Sequence, residues 1–310
     1  MNDPRSAAAT PERRLAAHAV ALVWFAAVCV STAALFVRHS TAPSLVLAAY
    51  RKLFAALLLL PAVLFSRERR RELRAVTRET ALWCLLGGVF LALHFWTYFL
   101  SVNYTTVSAS QTLIGAEVLF VASFMFLTGQ ERFNAWSRAG IFLALAGSLT
   151  VAYAPGGLRA GDGALFGNLC GLFSALMLAL YSLVGVKVRR SMGNTVYNLL
   201  IYGVAAAVLC AMVGVSPYSL TGYGAVNYLT AFLMAVFNSL LGHSIFNWSF
   251  KYLSPTLVSV IKLFQPVLAT AWAFLLLSEL PTANQLVGCA MLTAGIFIYI
   301  RHKDAGRRTQ

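Results

Sequence analysis

Two charged residues lie deep inside apolar runs of this 310-residue chain. Glu117 is about thirteen residues into the run 104–127, and Lys262 about nine residues into the run 253–276. A charge at that depth in hydrocarbon is costly, so it faces a cavity or a partner. The chemistry open to Glu117 is proton exchange or capture of an amine; Lys262 would attract a carboxylate. Each has a plainer alternative: a structural carboxyl for Glu117, or a Glu117–Lys262 ion pair that only holds the molecule together. Thr106, Ser110, Leu113 and Glu117 recur at i, i+4, i+7 and i+11, a mainly polar stripe on one helical face. Ser259 shares a face with Lys262. Pro266 has no N–H to offer the carbonyl of residue 262, which predicts a kink and a freed acceptor beside the lysine.

Further polar residues recur at helical spacing. His94, Thr97, Tyr98 and Ser101 fall at i, i+3, i+4 and i+7, and Ser239, His243 and Asn247 at i, i+4 and i+8. Either histidine titrates near neutral pH in its ordinary state. These stripes would contact a cargo or tie helices together, and the spacing fits both. Trp24, Trp96, Tyr98 and Trp248 offer cation–π walls or ordinary packing. Arg51 and Lys52 sit a turn or two below one end of the run 45–65, where snorkelling to the outer surface is the expectation; Arg51 drawing an anionic group to the mouth is the alternative. The cysteines (Cys29, Cys84, Cys170, Cys210, Cys289) all lie in apolar runs without Cys-x-x-Cys spacing, as small fillers do. The five histidines are widely spread and no Walker sequence occurs, so neither a metal, a cofactor nor ATP hydrolysis is expected.

The elements that must position these residues follow from composition. Residues of the AVILMFWYC set make up 59% of the chain before its 22 glycines are added, and charged residues only 11%. A soluble domain carries about 45–50% apolar residues with glycine included, and about a quarter charged. That excludes an ordinary soluble enzyme, a disordered chain and a secreted disulfide scaffold. Ten apolar runs, 17–37, 45–65, 81–101, 104–127, 136–154, 164–186, 196–214, 228–249, 253–276 and 283–301, are each long enough to cross a bilayer as a helix. The first follows Arg13 and Arg14 but is longer than a signal-peptide core, and is read as an uncleaved helix.

The net charge of +14 need not mean nucleic acid. With ten crossings, alternate loops share a side. One side collects 19 of the 24 Lys and Arg residues, including the cluster Arg67, Arg69, Arg70, Arg71, Arg74 and Arg78. The other has only Arg38 and Arg159. Excess Lys and Arg marks the cytoplasmic side, so both termini are expected there, in a cell inner membrane, with some contact to anionic lipid.

Shifted by 148 residues, the chain aligns with itself. Tyr104 meets Tyr252, Phe126 Phe274, Leu127 Leu275, Glu131 Glu279, Ala135 Ala283, Gly140 Gly288, Ala146 Ala294 and Gly147 Gly295. Asn134 and Thr282 coincide as helix starts, the latter in a capping box with Gln285. Glu131 and Glu279 close their helices and are read as structural. The spaced glycines, with Gly167 and Gly171, mark close helix packing. Gln265 is the counterpart of Glu117, whereas His94 aligns with Gly242, one short of His243. Five helices per half force the halves into opposite orientations. The fold class is therefore an all-α polytopic membrane protein of ten transmembrane helices in two inverted five-helix repeats: a tail 1–16, repeats 17–154 and 164–301, a linker 155–163 and a tail 302–310.

The residues also resemble a known family. His94-Phe95-Trp96, Ser101 through Ser110 and Gly129-Gln130-Glu131 are similar to the EamA unit of the drug/metabolite transporter superfamily. The second copy resembles it more closely, through Leu241-Gly242-His243-Ser244-Ile245-Phe246-Asn247-Trp248, Lys251 through Val260, Pro266-Val267 and Ser278-Glu279-Leu280-Pro281. Two departures are Val118, where the family commonly has proline after the polar residue of the fourth helix, and Gln265-Pro266, where it often has Glu-Pro. The resemblance implies a secondary transporter that exports a small metabolite by alternating access. Amino acids or related zwitterionic or amphipathic compounds are the expected cargo, with protons as the coupling ion through Glu117. The candidate binding residues are Glu117, Lys262, His94, Trp96, Tyr98, His243, Asn247, Ser259 and Gln265. Expected partners are the cargo and the bilayer, with pairing of two copies left open and no nucleic acid. A membrane-embedded enzyme acting on a lipid head group, or a carrier of phosphorylated or nucleotide-linked metabolites, are the alternatives.

Overall fold

The computed structural model describes residues 11–38, 40–104, 110, 113–152, 163–277 and 280–302. Thr106, Ser278, Glu279, Arg159 and most of the two tails lie outside them. Among the described residues there is helix and no strand. The helices are α1 (Pro11–Ser31), α2 (Ala33–Arg38), α3 (Ser44–Leu64), α4 (Arg67–Arg74), α5 (Arg78–Tyr104), α6 (Glu117–Leu127) and α7 (Ala135–Ala152) in the first half. The second half holds α8 (Ala164–Val188), α9 (Asn194–Gly214), α10 (Ala225–Met234), a π-helical segment (Ala235–His243), α11 (Ser244–Ser249), α12 (Pro255–Lys262), α13 (Gln265–Leu277) and α14 (Ala283–His302). Seven helical stretches among the described residues are long and apolar enough to cross a membrane, one of them running from α10 through α11 and another through α12 and α13, and two shorter apolar ones begin at Leu15 and Leu113.

Local chemistry sets several ends. Ser254 accepts from the N–H of Leu257 at 3.3 Å, with Pro255 at the first helical position of α12. Thr282 and Gln285 form the reciprocal capping box, at 2.8 and 3.3 Å. Asn134 caps α7 through the N–H of Ser137 at 2.7 Å. The amphipathic α4 carries five of the arginines named above, Arg67, Arg69, Arg70, Arg71 and Arg74.

Two boundaries differ from the sequence reading. α5 runs on to Tyr104, so 104 closes the third run and does not open the fourth. A one-residue turn at Ala116 interrupts the helical stretch that begins at Leu113, so Glu117 follows an interruption where an unbroken helix was expected. In the second half the break falls at Leu263 and Phe264, and α13 begins at Gln265. Glu117 and Gln265 are repeat counterparts, so the two halves break their equivalent helices at the same place. One break has Pro266 beside it and the other Val118. The interruption is shared by the two repeats, and proline alone does not account for it.

Packing carries the same symmetry. α3 lies on α9, α7 on α14 and α6 on α12, each joining equivalent runs of the two halves. α5 on α8 is matched by the π segment and α11 on α1, and α6 on α8 by α12 and α13 on α1. Lipid gives helices little hydrophobic reason to associate, so close approach of small residues does the joining. At the α7–α14 seam a Cβ on Gly140 would stand 2.8 Å from the carbonyl oxygen of Gly295, and one on Gly147 2.6 Å from that of Gly288. The seam is antiparallel and reciprocal: each glycine meets the repeat counterpart of the other.

A Gly147→Ala substitution should therefore lower thermal stability in detergent by about 1–3 kcal/mol, because the obstruction is backbone. Gly203→Ala, with nothing within 4 Å of its Cβ, should cost nothing. Equal melting temperatures for the two variants would contradict the seam.

Candidate functional site

Glu117 and Lys262 meet. α6 presents the carboxylate 3% exposed, and Lys262 at the end of α12 donates Nζ to both oxygens, at 2.8 and 3.1 Å. Ser182 of α8 donates to Oε1 at 2.8 Å and Ser259 of α12 at 3.3 Å. The Lys262 ammonium also lies 5.3 Å from the ring centroid of Phe246. One acidic group from the first half is thus held by three side chains of the second. Both charges stand at helix irregularities: Glu117 directly follows the turn at Ala116, and Lys262 is the last residue of α12, before the break at Leu263 and Phe264. The plainer reading of these two charges, an ion pair between halves, is what this conformation contains. Gln265 stands half-buried one turn past Lys262.

A second charged cluster is a correction to the sequence reading. Arg51 and Lys52 do not snorkel: they are 4% and 0% exposed. Both donate to the Ser239 hydroxyl, Arg51 Nε at 3.0 Å and Lys52 Nζ at 3.2 Å. Each cation lies 4.7 Å from the centroid of Phe95, and Lys52 is 4.4 Å from that of Tyr202. The reason is helical phase. Ala48, Lys52, Ala55 and Ala56 share the buried face of α3, where small residues admit α9 and the π segment. That alanine spacing was the signal in the sequence.

The remaining candidates separate. His94 is buried and accepts from or donates to Ser174, whose Oγ lies 2.9 Å and carbonyl oxygen 3.1 Å from Nδ1. Tyr98 stacks on it, with centroids 6.4 Å apart and planes within 8°. Trp96 faces away, 37% exposed on the side of α5 opposite His94 and Tyr98, so it is not a wall of this site. Asn247 is buried, accepting from the Tyr181 hydroxyl at 2.9 Å and donating to Asn198 at 2.6 Å. Its carbonyl accepts from Arg189 Nε at 3.2 Å, and Arg189 also donates to the carbonyl of Met192. Asn247 is thus engaged in a network within the second half. His243 stands between the clusters, its ring 6.0 Å from Phe95 and 6.1 Å from Phe246. Ser110, from the expected polar stripe, bonds Ser101 at 2.7 Å. Ser182 and Tyr181 were missed, although Ser174, Tyr181 and Ser182 at i, i+7 and i+8 are a readable polar face. Among the described residues no three His, Cys, Asp or Glu side chains converge as metal ligands.

Comparison with known proteins agrees with this architecture. A family model described as the EamA-like transporter family matches residues 18–153 and 165–301. An "uncharacterized transporter" of Clostridium kluyveri is 24% identical over 259 residues, 82% of each chain. A protein of the same description from Archaeoglobus fulgidus is 25% identical over 282 residues, 90% of this chain and 94% of the relative. A solved crystal structure superposes with a TM-score of 0.76 over 93% of this chain and 98% of that one, at 18% identity, a likeness of fold.

Removing one partner of a buried ion pair leaves the other charge stranded, at a cost of about 3–5 kcal/mol. Glu117→Gln should therefore melt well below the parent. Adding Lys262→Met should restore most of the loss, and additive losses in the double variant would show that the two groups act independently.

Proposed function

The chain belongs to the EamA-like transporter family, and on that premise we propose that it is a proton-coupled secondary transporter exporting a small zwitterionic or amphipathic metabolite, such as an amino acid. It crosses the inner membrane ten times, as two inverted five-helix units with both termini in the cytoplasm, and works by alternating access. The observation that carries this reading is the Glu117–Lys262 pair, a buried charge contact joining the two halves. Glu117 can satisfy itself with Lys262, with a proton or with the amine of a cargo, and only one at a time. Protonation removes the negative charge, releases Lys262 and lowers the cost of parting the halves. A cargo amine takes the place of Lys262 and keeps the carboxylate ionised. Competition between proton and cargo for one carboxylate is what exchange requires, since each bound species biases the conformer that holds it best. The helix irregularities at Ala116 and at Leu263 and Phe264 lie beside the charges, as the discontinuous helices of inverted-repeat transporters lie beside their substrate sites. The reciprocal α7–α14 seam supports the inversion, because equivalent helices of like orientation could not meet antiparallel.

In proteoliposomes, an imposed pH gradient should drive uptake or efflux of at least one radiolabelled amino acid by the parent protein. Glu117→Gln should lose the response to the gradient. Full gradient-driven transport by that variant would remove Glu117 from the coupling role.

For topology, a C-terminal fluorescent-protein fusion should be bright and an alkaline phosphatase fusion at the same residue inactive; the reverse pattern would turn the molecule over.

A further inference from the structure

The Glu117 pair neutralises Lys262; of the other buried cations Arg189 is bonded to backbone carbonyls, which leaves Arg51 and Lys52. Arg51 and Lys52 are adjacent in sequence and lie side by side under Phe95. Among the described residues the salt bridges are Lys187–Glu79 and Lys262–Glu117, and no carboxylate pairs with either. A guanidinium has five N–H donors and an ammonium three. Here they share one neutral acceptor, the hydroxyl of Ser239. Arg51 Nη2 is buried with no hydrogen-bond partner, and so is Nδ1 of His243. Unpaired buried charge of one sign is a severe cost to a fold, and two like charges together double the need for a counter-charge.

The backbone around them is also unusual. Ser239 and His243 both belong to the nine-residue π-helical segment Ala235–His243, and Tyr202 donates its hydroxyl to the Ser239 carbonyl at 3.0 Å. π-helical turns are rare and concentrate at functional sites. Wound this way, the segment sets Ser239 against α3 and His243 between the rings of Phe95 and Phe246. Phe246 in turn faces the Lys262 ammonium. The two charged clusters therefore share an aromatic wall with His243 in its middle.

We propose that Arg51 and Lys52, with Ser239 and His243, form the seat for an oxyanion of the transported molecule, a carboxylate or phosphoryl group. Nη2 of Arg51 and the Nδ1 edge of His243, in the tautomer that carries its proton there, are the donors held ready. The Lys52 ammonium supplies charge. The oxyanion discharges the excess positive cluster as it enters, while Glu117 receives the amine or proton at the other end of the aromatic wall. This deepens the transporter reading and rests on it for the cargo. It narrows the cargo to molecules with an anionic head, and moves the anion seat from Lys262 to α3.

The test is ligand-induced thermal shift of the purified full-length protein in detergent at fixed ionic strength. The probes are the twenty amino acids, alaninamide and ethylamine as carboxylate-free amines, and inorganic phosphate and glucose 6-phosphate, with chloride as the reference. Stabilisation by at least one carboxylate or phosphoryl compound beyond chloride, and none by the amines alone, is expected. Which of the two classes stabilises identifies the oxyanion. In Arg51→Gln the apparent affinity should fall about tenfold or more, the loss of one charge-assisted contact. If Arg51→Gln does not fold, Lys52→Met deletes a charge while keeping an apolar stem against the same rings, and should lose affinity likewise. Failure of every anionic probe to exceed chloride, or an unchanged shift in the Arg51 and Lys52 variants, would overturn the proposal. A normal anion response with no transport in proteoliposomes would instead overturn the transporter reading and leave the anion seat standing.

Discussion

Everything near the centre of this molecule follows from one carboxylate and one ammonium, 2.8 Å apart and largely buried. Separately, each would be an intolerable charge at hydrocarbon depth; together, with two serine hydroxyls completing the shell of Glu117, they are tolerable. Because the two come from different halves, the cost of separating them is also a cost of separating the halves. The contact rests on Glu117 carrying its charge, because the attraction that holds Lys262 is electrostatic.

Backbone economy is the second constraint. In a bilayer, main-chain polar groups that leave a helix must be satisfied by protein or line a wet cavity. Three of the irregular stretches among the described residues are therefore informative: a turn at Ala116, a break at Leu263 and Phe264, and the π segment from Ala235 to His243. All three adjoin charged or polar side chains. The first two sit at equivalent positions of the repeat, which ties the irregularity to the architecture.

Much of this was legible in the sequence, for identifiable reasons. Apolar runs report on the bilayer, a solvent with one simple rule, and the glycine spacings report on backbone approach. The capping box at Thr282 and Gln285 is local chemistry and formed as read. Glu117 and Lys262 stood out because a membrane span has no use for them. What could not be read was which way a side chain faces when its helix is apolar all round. Arg51 and Lys52 looked like residues that would reach for water, and only the partners of α3 decide that they turn inward. Trp96 looked like a wall and faces outward. Asn247 looked like a ligand group and is engaged with Tyr181 and Asn198, which lie far from it in sequence. Local spacing gives a face; the neighbouring helix gives that face its meaning.

The glycine seam between α7 and α14 has a mechanical consequence. Where side chains interlock, two helices can trade one set of rotamers for another and so settle in more than one register. Here backbone rests on backbone at Gly140, Gly147, Gly288 and Gly295, and there are no rotamers to trade. The separation of α7 and α14 at these positions is set by main chain, and no change of side-chain rotamer relaxes it.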